Sequence, residues 1–389
     1  MNLALLSFTS AALALGLTAC FDNDTSTDQA AAPPVATPIA PAVGSVMNAP
    51  PMGRENAAPP GGGGRGGRGG EQLSAADVDF RVTNPVTGVS LAVYAELPNT
   101  PPPYQAVAVV PGAIKDASGV FNRPEMRQPI LDNGVAIFRF DPDGRGQSGG
   151  EEDMGGKKQQ AGLRAVIEQI IARDDIADDQ VGVFSNSVGI QMAAGALAGG
   201  QTKARFLIDW EGPSSKAYAA GCVSDSDLPG PPWPPGLECG DDVYWAEREA
   251  ERNMAKLTIP YQRIQRAQDH VHGTDAGHAF ALYQAALEGP CPWVRMNTLE
   301  PNLAADKVQS APRPDVGFPT LYAWYGDYVA DMFIAIDGGT LPVRDHVMSD
   351  GMGGPPQGGA RGQGGGQGGG QGGGRGGGKG GKRGPPQKR

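Results

Sequence analysis

The chain has 389 residues, of which 60 are glycine and 35 proline, and a formal net charge of −10. That much glycine and proline excludes one compact fold over the whole length. The excess lies before about residue 75 and after about residue 350, leaving a central segment long enough to bury a sizeable core.

Residues 1–20, "MNLALLSFTSAALALGLTAC", form an apolar run too short to span a bilayer and end in small residues. This pattern predicts a secretory signal. Leu17-Thr18-Ala19-Cys20 resembles a bacterial lipobox, which implies lipidation of Cys20 and a chain anchored in the cell envelope, on the outer membrane facing the periplasm or the surface. Without lipidation the product would be secreted. Residues 21–74 read as a Pro/Gly/Ala-rich disordered tether and 351–389 as a basic, Gly-rich disordered tail with no acidic residue. On an exported chain the tail suits a solvated linker or a weak contact with anionic surfaces, and nucleic acid is not an expected partner.

Between the tails, at 75–350, strand and helix patterns alternate. "DFRVTN" and "VSLAVYAEL" predict an antiparallel hairpin. "AVAVVPG" is a continuous apolar strand, followed by a helix around "PEMRQPILDNG" and the strand "GVAIFRFD". "AGLRAVIEQIIARDD" has helical spacing; "QVGVFS", a small-residue helix, "ARFLIDWEG", "IPYQRIQ", "HAFALYQAALEG", "PWVRMNT" and a last helix within "TLYAWYGDYVADMFIAID" follow. Such alternation predicts an α/β domain with a mostly parallel sheet covered by helices on both faces. Residues 212–258 interrupt it and read as a lid-like insertion. Trp233 and Tyr244-Trp245 would give the lid an apolar wall, and Glu247, Glu249 and Glu251 a negative rim. Cys222 and Cys239 bracket its proline-rich part, where a disulfide would stabilise by about 3 kcal/mol. Cys291 is then the odd thiol or a competing partner.

Three places together resemble the α/β-hydrolase fold over roughly residues 78–340. Ser185-Asn186-Ser187-Val188-Gly189 is similar to the nucleophile elbow, with Ser185 in place of the usual first glycine. "FDPDGRGQSGG" looks like the Asp-x-Arg-Gly-x-Gly-x-Ser loop, with Asp141 and Asp143 both available for its acidic position. "PYQRIQRAQDHVHGTDAGHA" ends a strand in an acid-bearing loop. The resemblance implies a serine hydrolase acting on an ester, thioester or amide, with a small-molecule or peptide acyl substrate and no cofactor. It assigns Ser187 as nucleophile, Asp269 as triad acid, and the backbone N–H groups of Ala113 and Val188 as oxyanion hole.

The base is harder to place, because only His346 follows "PWVRMNT", and it lies beyond the last long helix. His278, near a helix start at the edge where parallel strands end, is the favoured base, with His270, His272 and His346 as alternatives. A second reading takes Asp269, His270, His272, Asp275 and His278 as ligands of a divalent metal, although the spacing matches no established motif. A non-catalytic lipoprotein on the same scaffold is the competing function.

Overall fold

The structure is a computed structural model that describes residues 73–113, 115–220, 222, 239–344 and 346. The signal, Cys20, nearly all of the tether, Trp233 and the tail lie outside the described residues.

Strand β1 (Phe80–Thr83) and β2 (Ser90–Glu96) form the expected antiparallel hairpin. They are followed by β3 (Tyr104–Val110), helix α1 (Pro124–Asp132), β4 (Val135–Phe140), α2 (Lys157–Ile171), β5 (Ile176–Asn186) and α3 (Gly189–Leu197). Next come β6 (Leu207–Trp210), α4 (Lys216–Ala220), α5 (Asp242–Arg248), α6 (Ala250–Met254) and β7 (Tyr261–Ile264). The chain closes with α7 (Gly277–Glu288), β8 (Val294–Met296), α8 (Ala305–Ser310) and α9 (Phe318–Ile336). The eight strands make one sheet in the order β1-β2-β4-β3-β5-β6-β7-β8, parallel from β4 onward. The arrangement, a mostly parallel eight-stranded sheet with helices on both faces, is α/β-hydrolase-like.

The strands β3, β4 and the second half of β5, Val181–Ser185, are buried and mostly apolar because both their faces are covered. On one face Leu163, Val166, Ile167 and Ile170 of α2, with Met192 and Leu197 of α3, pack on Ala106, Ala108, Phe138 and Val183. On the other, α1 and α9 bring Ile130, Tyr325, Val329 and Phe333 onto Val107, Ile137, Phe184 and Phe206. Among the described residues no helix is long and apolar enough to cross a membrane.

Of residues 212–258, α6 runs straight into the turn before β7, and α5 and α6 both pack on α3. Trp245 is buried, Arg248 lies 3.7 Å over the Tyr244 ring, and Arg248 also pairs with Asp153 at 2.7 Å. Tyr244 and Trp245 therefore anchor the segment to the body. Cys222 and Cys239 are joined in a disulfide. Cys291 is free, half-buried, and donates to the carbonyls of Ile259 and Trp293, while burial pushes its thiol up to about 11.

Candidate active site

The parallel register places the carboxyl ends of three strands side by side. Asn186 of β5 is level with Trp210 of β6, and Trp210 with Ile264 of β7. The next residue of each strand leaves from the same edge: Ser187 N–H donates to the Trp210 carbonyl, and Glu211 N–H to the Ile264 carbonyl. Ligand sites in open α/β sheets form at this edge.

At Ser187 the chain turns with a φ of 53°, the left-handed region that an L-residue adopts only under constraint. The sequence permits the turn by keeping its neighbours small. A Cβ on Gly189 would lie 2.9 Å from the carbonyl oxygens of Val110 and Pro111, and one on Gly112 would lie 2.5 Å from the carbonyl of Asn186. Ser185, fully buried, aims its hydroxyl at Asp209 Oδ1, 3.2 Å away. Asp209 also accepts from Tyr261 and is ion-paired with the buried Arg263 guanidinium. The elbow tolerates a hydroxyl there because a buried carboxylate takes its hydrogen bond.

Ser187 Oγ lies 2.9 Å from Nε2 of His270. The other ring nitrogen, Nδ1, lies 2.9 Å from Glu211 Oε2, and the His270 backbone N–H donates to the same oxygen at 3.1 Å. A carboxylate oxygen only accepts, so Nδ1 carries the proton and Nε2 presents its lone pair to the serine hydroxyl. Trp210 stacks on the imidazole at 4.6 Å and fixes its plane. Glu211 has a φ of 47° and a fully buried side chain. Burial pushes its carboxyl up, but His270 and the two-pronged contact from Arg266, at 2.9 and 3.1 Å, more than offset this and hold it below the ordinary value. The result is an ionised acid, an oriented imidazole and a strained serine in one hydrogen-bonded chain.

Asp269 and His278 are placed differently from the sequence expectation. His278 is fully buried, with Nδ1 2.9 Å from the Gly212 carbonyl and 3.2 Å from Arg263 Nη2, and Nε2 3.3 Å from Asp269 Oδ2. Its ring belongs to the first turn of α7, which enters beneath the loop, whereas His270 sits at the loop tip over Ser187. Asp269 turns inward: Oδ1 accepts from the N–H groups of Val271 and His272, and Oδ2 from Gln265. Burial pushes the Asp269 carboxyl up, yet the adjoining His278 ring, Gln265 and these two N–H groups hold it well below the carboxylate range. Burial also pushes His272 down to about 4. His346 is remote from this edge, stacked on Trp324 of α9 and bonded to Asp327 at 2.9 Å.

Sequence reasoning thus assigned no role to Glu211 and ranked His270 only as an alternative. The signal for Glu211 was present in "DWEG": an acid directly after a strand, the same cue used for Asp269 one strand later. Ala113, with a φ of 47°, and Val188 line one small cavity together with Pro111, Arg145, Gly189 and Met192, so the two expected oxyanion donors share a wall. Arg145 reaches that wall through a two-pronged bond to Glu152 at 2.6 and 2.9 Å and another to the Lys115 carbonyl. The two aspartates of that loop divide the work. Asp141 accepts from Tyr94, Ala117 and Gln147, and Asp143 ties the loop to Asn84 and Thr87 of the hairpin turn.

No family model matches the chain. Over 133 residues it is 27% identical to the 2,6-dihydropseudooxynicotine hydrolase of Paenarthrobacter nicotinovorans, a match covering 34% of this chain and 35% of that protein. The chain thus spans about a third of the length of that curated relative. Among solved structures it is similar to Est1E of Butyrivibrio proteoclasticus with ferulic acid bound (20% identity, 56% of this chain and 88% of that one, TM-score 0.43). It is likewise similar to an esterase of Pyrococcus furiosus (15% identity, 68% and 95%, TM-score 0.46).

Proposed function

We propose that this α/β-hydrolase-fold chain is an exported serine hydrolase that cleaves a small ester, thioester or amide, with Ser187 as nucleophile, His270 as base and Glu211 as the acid that orients it. The observation that carries the reading is the continuous chain from Ser187 Oγ through both nitrogens of His270 to the buried carboxylate of Glu211. His270 Nε2 takes the serine proton as Oγ attacks the acyl carbon, and Glu211 stabilises the imidazolium that forms. The N–H groups of Val188 and Ala113 receive the oxyanion. The imidazolium then gives its proton to the leaving group, and water, activated by the same Nε2, releases the acyl group.

Aromatic side chains lie beside this centre. Phe318, half-exposed, lies 6.1 Å from Trp210 and stacks on Tyr322, and Arg266 covers its other side. Such a wall suits an apolar ester better than a charged one. Export and anchoring through Cys20 complete the proposal: the enzyme acts in the cell envelope.

The decisive experiment is labelling with a fluorophosphonate probe. The parent should label, and Ser187→Ala and His270→Ala should not, while circular dichroism shows all three folded. A folded parent that stays unlabelled and hydrolyses no p-nitrophenyl ester would overturn the mechanism.

A further inference from the structure

Beneath the loop that carries His270, three side chains converge without reaching the catalytic serine. Asp269, His272 and His278 each present one ligand-type atom, all within 4.8 Å of one another, and all three residues are buried. We propose that they form a binding site for a divalent transition-metal ion of the zinc class, which ties the loop to the first turn of α7.

The argument starts from the lone pairs. His278 Nδ1 lies between two groups, 2.9 Å from the Gly212 carbonyl, which accepts, and 3.2 Å from Arg263 Nη2, which donates; in the tautomer that serves the carbonyl, Nε2 holds a lone pair. That lone pair faces Asp269 Oδ2 at 3.3 Å, and Nε2 has no hydrogen-bond partner among the described residues. In that tautomer two electron-rich atoms are buried against each other, and a cation between them would satisfy both. The spacing suits an ion: bonds of about 2.0–2.1 Å to a tetrahedral zinc place neighbouring ligand atoms about 3.3 Å apart. His272 adds a third donor, and its Nδ1 is also buried without a partner. Its ring lies 4.6 Å from that of His278.

Charge points the same way. The other two buried carboxylates of this edge have their own guanidinium, Asp209 with Arg263 and Glu211 with Arg266. Among the described residues, the ion-pair partners of Asp269 are histidines only, His270 at 3.6 Å and His278 at 3.3 Å. Arg263 acts on Asp269 only through space, without an ion pair, and a bound metal would put a cation in direct contact with it. The surroundings also resemble an outer shell that orients ligands: the Gly212 carbonyl faces His278 Nδ1, and Gln265 holds Asp269 Oδ2. Two imidazoles and a carboxylate suit zinc and leave a fourth position to solvent.

The site stands independently of the hydrolase reading, so its test counts metal and not turnover. The full chain, purified without a polyhistidine tag, is equilibrated with zinc, freed of excess, and assayed for bound metal. Cobalt(II) loading adds a visible spectrum that reports tetrahedral ligation. One zinc per chain is expected, with affinity at least about 100-fold weaker in His272→Gln and His278→Gln and unchanged in His270→Gln. Chelation should lower the melting temperature of the parent and leave that of His272→Gln in place. If His278→Gln does not fold, His272→Gln decides. A parent that retains no zinc and whose melting is indifferent to chelator overturns the site, Nε2 of His278 then holding a proton. Zinc lost from His270→Gln but kept by His272→Gln overturns it equally, by moving the ion to Glu211, Asp269 and His270.

Discussion

Ser187 and Glu211 both hold left-handed backbone, at φ 53° and 47°, conformations that cost side-chain-bearing residues about 1–3 kcal/mol each. In both cases the turn lifts a side chain off a strand end and aims it at His270. Replacing Ser187 by Ala should lower kcat by at least about 10,000-fold with little change in melting temperature, measured on a chromogenic ester. Glu211→Gln keeps the shape but removes the charge that fixes the imidazole tautomer, and a loss of about 10,000-fold in kcat is expected. The same carboxylate contributes to stability against acid. Its folded pKa lies below the ordinary 4.5, so its contribution is full above that value and disappears as pH falls through the folded pKa. Glu152, held down by Arg145 against the opposing effect of burial, behaves alike. Melting temperature should therefore fall below about pH 4.5, and less steeply in Glu152→Gln, by calorimetry across pH.

At the scale of elements, the site depends on how closely β5 and α3 approach β3. Gly189 and Gly112 face the carbonyls of the opposite segment at distances no Cβ can occupy. Gly189→Ala should destabilise by about 1–3 kcal/mol in urea melts and loosen the elbow, so the probe rate at Ser187 falls too. Helix α5 is held differently. Arg248 is buried and donates to Asp153 and the Tyr244 carbonyl, and its removal strands those acceptors. Arg248→Ala should cost about 2–3 kcal/mol without abolishing labelling, because these contacts join α5 to the segment before α2 and touch none of Ser187, His270 and Glu211.

For the whole molecule, the disulfide and the termini decide how the domain meets its compartment. The Cys222–Cys239 bridge has a sequence separation of 17, and its reduction should lower stability by about 3 kcal/mol, read as a lower melting temperature under dithiothreitol. If Cys20 is lipidated, the full chain should partition into the detergent phase, and Cys20→Ser should move it to the aqueous phase with its esterase activity intact. A parent already aqueous would remove the anchor from the proposal while leaving the catalytic reading in place.

Much of this was legible in the residues, because the signals are local. Hydrophobic period and length marked the strands and the last helix, and small residues at 185, 187 and 189 marked the elbow, since a tight turn needs them wherever it sits. The proposed acid and base were not local. Asp269 and Glu211 each follow a strand, and four histidines fall within the last 120 residues, so spacing along the chain could not rank them. The parallel register did: it set Ser187 beside Glu211 on the next strand and put the loop tip after β7, not the start of α7, above both. Sequence by itself determined which elements form and where a strained serine stands. Which carboxylate and which imidazole face that serine was decided only by tertiary structure, because hydrogen bonds of 2.9 Å join residues 59 and 83 positions apart.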